Sequence, residues 1–191
     1  MCRSRFLPQF QVLLLGVGLA LIGYVSSAYL GSAWARAGLE RQLLASRHRT
    51  SARVWTQPPG PGELIGRLRI DRIGLSAIVL EGVDGKTLRL AAGHLPATPL
   101  PGDPGRVTLA GHRDQIFRGL KDLRPGDHIV LETRSGDFHY DVDSLRIVAP
   151  TDVAVLASGN RRELQLLTCY PFSYLGRAPQ RFVALASQIE P

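Results

Sequence analysis

The fold that the sequence predicts is an all-β domain of the closed or sandwiched kind, preceded by an N-terminal transmembrane helix. The chain has 191 residues, of which 45% are hydrophobic and 20% are charged. Both fractions are ordinary for a globular protein, which excludes wholesale disorder. Beyond residue 62, short runs rich in valine, isoleucine and leucine alternate with turn residues, and this pattern is typical of β-domains. Near the N-terminus, thirty consecutive residues carry no charge.

The uncharged segment, from Phe6 to Ala35, is long enough to span a bilayer. A transmembrane helix needs about 20 apolar residues. We predict a short N-terminal tail over residues 1–10 and a signal-anchor over residues 11–33, with the N-terminus inside the cell and the C-terminal part outside. A cleaved signal peptide is the alternative, because Ala33–Ala35 fits an A-x-A cleavage pattern. The apolar run exceeds the roughly 15 residues usual for a signal-peptide core, which favours the anchor.

The net charge of +7 does not indicate nucleic-acid binding. Residues 1–57 contain seven arginines and one glutamate, a net of +6, whereas residues 58–191 contain sixteen lysines and arginines against fifteen aspartates and glutamates, a net of +1. A groove that follows phosphates would need the positive excess in the folded domain. No nucleic-acid partner is therefore expected. The arginines that follow the apolar segment suit anionic lipid headgroups instead.

Residues 34–62 are predicted to form a juxtamembrane stalk that ends in a linker. The part over residues 36–54 reads as a helical or partly ordered spacer. Gln57–Gly62 then contains three prolines and two glycines, which cannot continue a helix. The folded domain is therefore expected over residues 63–191.

Eight short runs in this domain are predicted to be strands. They are Glu63–Ile70, Ala77–Glu81, Arg106–Ala110, His128–Thr133, Phe138–Asp143, Leu145–Val148, Glu163–Thr168 and Arg181–Ser187. Brief helical turns are predicted at Thr87–Ala92, Ile116–Leu120 and Val153–Ala157. Short strands at this spacing, separated by turn dipeptides such as Asp84-Gly85, indicate a closed or sandwiched β-domain. About 130 residues suffice for its hydrophobic core.

Cys169 is the one cysteine beyond the N-terminal segment, and it follows the predicted strand Glu163–Thr168. In an exported domain this thiol has no partner for a disulfide, since Cys2 lies before the membrane segment. A buried structural cysteine is one interpretation. The position at a strand end, before a polar loop, favours an exposed nucleophile instead.

A nucleophilic thiol needs a base, and two histidines are candidates. His94 and His112 each follow a glycine at the end of an apolar stretch. The better strand, Arg106–Ala110, precedes His112 and favours it, but spacing alone leaves both open. Acyl transfer also needs a group that stabilises an oxyanion. Arg181, which opens the strand after the Cys169 loop, is the first candidate for that role, and Arg177 is the second.

The order of these motifs resembles the sortase family, and the wording is closest to class D. Thr168–Phe172 (TCYPF) and Gly176–Val183 (GRAPQRFV) are similar to the cysteine strand and the following arginine strand. Ala110–Asp114 (AGHRD) is similar to the histidine segment, and Gly93–Gly102 to the segment before it. The family's TLxTC pattern reads QLLTC at Gln165–Cys169, a departure that a buried strand should tolerate. The resemblance covers residues 63–187, nearly the whole folded domain.

The resemblance implies an eight-stranded sortase-type β-barrel with short helical turns and a membrane-anchored cysteine transpeptidase. It implies His112 as the catalytic histidine, Cys169 as the nucleophile, Arg181 as the catalytic arginine and, as a weaker inference, Thr168 as oxyanion support. The implied reaction cleaves an LPxTG-like sorting signal through a thioester and transfers the acyl group to an amine. No cofactor and no metal are expected.

The implied partners are surface proteins with a C-terminal sorting signal, an amine of the cell envelope or of another protein subunit, and membrane lipid through the N-terminal helix. The implied location is the outer face of the cytoplasmic membrane. Two alternatives remain open at this point. One is a cysteine peptidase that uses water as acceptor, and the other is a non-catalytic β-domain that binds envelope components.

Overall fold

The computed structural model describes residues 6–47, 55, 57–157, 159–174 and 176–189. The chain divides into two compact units, one up to Gly38 and one from Leu39 onwards. Helix α1 covers Phe6–Arg47. The other elements are β1 Leu64–Ile70, β2 Leu75–Glu81, α2 Gly85–Leu90, β3 Ala92–His94, β4 Arg106–Ala110, β5 His128–Thr133, β6 Gly136–Val148, β7 Glu163–Tyr170 and β8 Gln180–Ile189. Short 3₁₀ turns lie at Asp71–Ile73, Arg118–Asp122 and Val153–Leu156.

The strands form a closed barrel in the order β1-β2-β3-β4-β7-β8-β6-β5. Two neighbouring pairs, β2 with β3 and β4 with β7, run parallel, and the other pairs run antiparallel. The parallel pair of β4 and β7 has a consequence for the site, because both strands then end at the same rim of the barrel. The prediction of an eight-stranded β-barrel with short helical turns is confirmed.

Side-chain alternation along β7 decides where its cysteine lies. Successive side chains of a strand point to opposite faces of the sheet. Leu164, Leu166 and Thr168 share one face and are buried, and the two leucines belong to the main hydrophobic core. Cys169 is on the other face and is only half-buried, with a free thiol. The hydrophobic pattern of β7 therefore turns the thiol away from the core.

Two of the predicted strands are one strand, and one strand was missed. The sequence predicts separate strands at Phe138–Asp143 and Leu145–Val148, whereas β6 runs through both. A register shift between Val142 and Ser144 marks an irregularity within β6, which interrupts the alternation as a β-bulge does. β3 escaped prediction because Ala-Gly-His contains no β-branched or aromatic residue, and its pairing with β2 and β4 alone makes it a strand.

The N-terminal helix is continuous through the predicted signal-anchor and the first part of the predicted stalk. Residues 48–54 of the stalk lie outside the described residues. In the described part of the chain, no helix is both long enough and apolar enough to cross a membrane. The predicted transmembrane segment over residues 11–33 is thus helical, but the structure does not support its membrane-spanning character.

A buried carboxylate closes the turn that leads into β5. Asp127 is 6% exposed and accepts hydrogen bonds from the Arg72 guanidinium and, at 2.7 Å, from the backbone N–H of Arg124. The Arg72 hydrogen bond is the largest cause that holds the pKa of Asp127 below the ordinary value of 3.8, and it outweighs the opposing effect of burial. The carboxylate form is therefore the one that the fold stabilises.

Replacing Asp127 with asparagine should lower the free energy of unfolding by roughly 2–3 kcal/mol at pH 7, the cost of losing a charged hydrogen bond. Because the pKa of Asp127 is lower in the folded than in the unfolded state, its contribution is complete above the ordinary value and is lost as the pH falls through the lowered value. Urea unfolding of the two proteins between pH 7 and pH 3 should show the difference shrinking at the acid end. Asp122→Asn is the control, since that side chain is 63% exposed. An equal loss in both variants, or a loss independent of pH, would contradict this account.

Candidate active site

Cys169 and Arg181 lie directly opposite each other on the antiparallel pair of β7 and β8. Directly opposed residues point to the same face of a sheet, with β-carbons about 4.5–5.5 Å apart. The sequence therefore needs only the correct register to place the thiol beside the guanidinium. The loop between the two strands, residues 171–179, returns the chain from one residue to the other.

The parallel pairing of β4 and β7 carries His112 to the same rim of the barrel. Ala110, the last residue of β4, is in register with Leu167. The N–H of Gly111 then donates to the carbonyl of Leu167 at 3.2 Å. His112 directly follows Gly111, and Cys169 lies two residues beyond Leu167. Both residues therefore lie just past the last pair of β4 with β7. The three sequence-predicted catalytic residues are thus brought to one end of the barrel.

The backbone turn at His112 is shaped by Phe117 packing on Gly111. A β-carbon at Gly111 would come within 2.7 Å of the Phe117 ring, so any larger residue would displace that fully buried ring. The N–H of Phe117 also donates to the carbonyl of His112 at 3.0 Å. The imidazole of His112 is half-buried and makes no hydrogen bond to the described residues, so its ring nitrogens are available for proton transfer.

Thr168 ties the cysteine strand to the histidine segment. Its hydroxyl donates to the carbonyl of Gly111 at 2.6 Å, and the residue is 3% exposed. Strand alternation puts this side chain on the face opposite that of Cys169. The hydroxyl proton is therefore committed to Gly111, and the visible contribution of Thr168 is to hold the residues before Cys169 and His112 together.

Arg181 is held by the loop that precedes it. Its Nη1 donates to the carbonyls of Gln180 at 3.0 Å and Ala178 at 3.4 Å. Among the described residues, no carboxylate forms an ion pair with this guanidinium, which leaves its charge free to meet a developing anion. Arg177, the second sequence candidate, is exposed on the loop and is not in register with Cys169.

His94, the competing candidate for the base, is locked inside the fold. It is 1% exposed, and its Nδ1 lies 2.7 Å from a carboxylate oxygen of Glu81. Its Nε2 faces the carbonyl of Pro99 at 3.0 Å and the hydroxyl of Thr98 at 3.2 Å. That hydroxyl gives its own proton to the carbonyl of Leu95. Both ring nitrogens therefore have partners inside the fold, and the buried ring is closed off from a substrate.

The other histidines also lie apart from Cys169. The exposed His128 and the half-buried His139 are neighbours on β5 and β6, with ring nitrogens 3.0 Å apart. His128 also contacts Asp141 at 2.9 Å, and His139 pairs with Ile189 at the far end of β8 from Arg181. His48 lies outside the described residues. A group of three or more histidine, cysteine, aspartate or glutamate side chains that could hold a metal ion is not found among the described residues.

Two side-chain contacts were not foreseen from the sequence. Glu81 becomes the partner of His94 only through the register of β2 with β3, which places the two directly opposite. Arg113 reaches across to the loop between β7 and β8, where its Nη2 donates to the carbonyls of Tyr174 and Gly176. Its position next to His112 was visible in the sequence, but the loop that it contacts was not.

Comparison with known proteins assigns this arrangement to a family. Residues 68–189 match the sortase domain model. Sortase D of Bacillus subtilis is 34% identical over 132 residues, which cover 69% of this chain and 67% of that protein. A Clostridium perfringens sortase D5 transpeptidase superposes with a TM-score of 0.63 at 26% identity, covering 69% of this chain and 82% of that one. Sortase C1 of Streptococcus agalactiae gives 0.61 at 28% identity, covering 66% and 67%. The chain belongs to the sortase family of cysteine transpeptidases.

Proposed function

We propose that this sortase cleaves an LPxTG-like sorting signal through a thioester on Cys169 and transfers the acyl group to an amine. The observation that carries the assignment of residues is the register of β7 with β8, which sets Cys169 opposite Arg181. The ending of β4 and β7 at one rim, which brings in His112, supports it. The side chains are those that thiol acyl transfer requires: a nucleophile, a proton carrier and a cation.

In the first half-reaction the Cys169 thiolate attacks the carbonyl carbon of the scissile amide. The carbonyl oxygen becomes an oxyanion, which the Arg181 guanidinium and a backbone N–H stabilise. One such donor is typically worth about 3–4 kcal/mol in the transition state. His112, as the imidazolium, protonates the leaving amine while the carbon–nitrogen bond breaks. The peptide fragment leaves, and a thioester joins the acyl part to Sγ.

In the second half-reaction an amine attacks the thioester carbon. His112, now neutral, accepts the proton of the incoming amine, and a second oxyanion forms against Arg181. When the carbon–sulfur bond breaks, the Cys169 thiolate is restored and a new amide is released. The charges of the enzyme return to their starting state, so no external reductant or oxidant takes part.

The expected acceptors are an envelope amine or an amine of another protein subunit, and the expected donors are surface proteins with a C-terminal sorting signal. The proposal also includes a location at the outer face of the cytoplasmic membrane, with an anchor over residues 11–33. It is supported by the absence of charged residues from Phe6 to Ala35. Membrane fractions washed with alkaline carbonate would retain an anchored chain and release one that is only attached to the surface.

The decisive test incubates the full chain with LPxTG peptides and variants of each position, with and without added primary amines. Intact-mass spectrometry should show the acyl fragment on Cys169, and hydroxylamine should remove it. Peptide ligated to the amine should appear only when amine is present. Equal amounts of hydrolysed peptide in both arms, without ligated product, would favour the peptidase that uses water. Peptide binding without any adduct or cleavage would favour the non-catalytic domain.

A further inference from the structure

The guanidinium of Arg113 joins the histidine segment to the loop between β7 and β8. Its Nη2 donates to the carbonyls of Tyr174 and, at 3.1 Å, Gly176. The guanidinium carbon also lies 5.9 Å from the centre of the Tyr174 ring, within reach of a cation–π interaction. Arg113 directly follows His112, so this contact links the candidate base to the loop that returns the chain from Cys169 to Arg181.

The loop depends on contacts of this kind for its shape. Residues 171–179, which we call the return loop, lie between β7 and β8 and belong to neither strand. Arg113 contacts its middle through the carbonyls of Tyr174 and Gly176, while Arg181 contacts the carbonyl of Ala178 near its end and that of Gln180, the first residue of β8. Two arginines thus contact the described backbone of the return loop at separate points.

The geometry of Arg113 favours a functional reason for this contact. Its Nη1 is buried and has no hydrogen-bond partner among the described residues. A buried donor without a partner is uncommon and unfavourable, so a residue selected for stability alone would not need to leave one. Both carbonyls accept from Nη2, whose two N–H bonds have fixed directions in the guanidinium plane, whereas the ammonium of lysine is a compact donor group with rotatable N–H bonds on a flexible stem.

We propose that Arg113 is a positioning residue, which holds the return loop against the histidine segment and so sets the placement of His112 and Arg181 around Cys169. This inference rests on the proposed transpeptidation. It assigns no contact between Arg113 and the substrate. A small misplacement of catalytic groups can lower a rate about 100-fold. Removing the Arg113 guanidinium should therefore slow the chemical steps more than it weakens peptide binding.

The first experiment measures the loop itself and does not need activity. Hydrogen exchange on the full chain should show the amides of residues 172–174 and 176–178 exchanging at least tenfold faster in Arg113→Ala than in the wild type, with the β7 and β8 ladders unchanged. The exchange rates of Arg113→Lys should lie between the two, because lysine keeps the charge and loses the fixed planar geometry of the donors. Arg118→Ala is the matched control: Arg118 is exposed, lies five residues beyond Arg113 in the chain, and its loss should leave the return loop as it is.

The second experiment measures steady-state transfer from an LPxTG peptide to an amine. In Arg113→Ala, kcat should fall about 10- to 100-fold while KM for the peptide changes less than threefold. Arg113→Lys should recover part of kcat, and Arg118→Ala should keep the wild-type kcat.

Should Arg113→Ala fail to fold, Arg113→Lys alone must still show faster loop exchange and lower kcat. Unchanged loop exchange overturns the proposal. So does a variant whose Tm falls while kcat is unchanged. Absence of transfer in the wild type would instead refute the proposed function, and the exchange experiment would still decide whether Arg113 holds the loop.

Discussion

Replacing Cys169 with alanine is expected to abolish thioester formation and to reduce transfer by on the order of 10⁴-fold or more, since the proposed covalent intermediate forms on its sulfur. The fold should survive, because the side chain is half-buried on the outer face of β7 and alanine fits any strand position. Intact-mass spectrometry and the rate of peptide cleavage measure the two effects together. Thermal unfolding of the variant provides the check that the loss is chemical.

Cys169→Ser is the companion variant. It keeps the shape and a hydroxyl, but the oxygen is a far weaker nucleophile than a thiolate under the same conditions. Transfer should remain strongly reduced. Substantial cleavage in Cys169→Ala with the fold intact would mean that another group performs the reaction, and the assignment built on the β7–β8 register would have to be abandoned.

Replacing His112 with alanine is expected to reduce transfer by about 10²–10⁴-fold, the usual worth of a positioned proton carrier. Both half-reactions need that proton, so the thioester should form slowly and also be resolved slowly by the amine. Added imidazole should recover part of the rate, because it can occupy the space of the missing ring. The measurement is kcat/KM against imidazole concentration.

His94→Gln gives the matched comparison. His94 is held between Glu81 and the carbonyl of Pro99, so its loss should lower the free energy of unfolding while leaving most of the catalytic rate. A histidine that exchanges protons with the substrate would instead lose catalytic rate on substitution, with little change in the free energy of unfolding. If His94→Gln abolished transfer in a folded protein and His112→Ala did not, the two roles would have to be exchanged.

The strands with strong β-branched patterns could be predicted from the sequence, and the closure of the barrel could not. The predicted limits of β4 and β5 match those in the structure, because each is a short run rich in valine, isoleucine or leucine with turn residues on both sides. β3 has three small or polar residues and exists only through its neighbours. The irregularity between Val142 and Ser144 interrupts the alternation of β6, which the sequence presents as the end of a strand.

The candidate site was predictable where motif and topology agree. Cys169 and Arg181 follow from a strand, a loop and a returning strand, which fixes their pairing once the register is known. Choosing His112 over His94 needed the family resemblance, since both follow a glycine in similar surroundings. The physical distinction is the burial of His94 beside Glu81, and this depends on a parallel pairing of β2 with β3 that local sequence does not reveal.

Closure of the eight strands has a consequence for how a peptide is recognised. Over the paired length of the ring no strand has a free edge, so an extended substrate cannot add itself to the sheet there through main-chain hydrogen bonds, as it does in many peptide-binding domains. We therefore expect recognition to come from the connecting segments and the strand ends at the rim. Exchanging those segments between related enzymes should therefore transfer substrate preference, while the ring beneath them keeps the same chemistry.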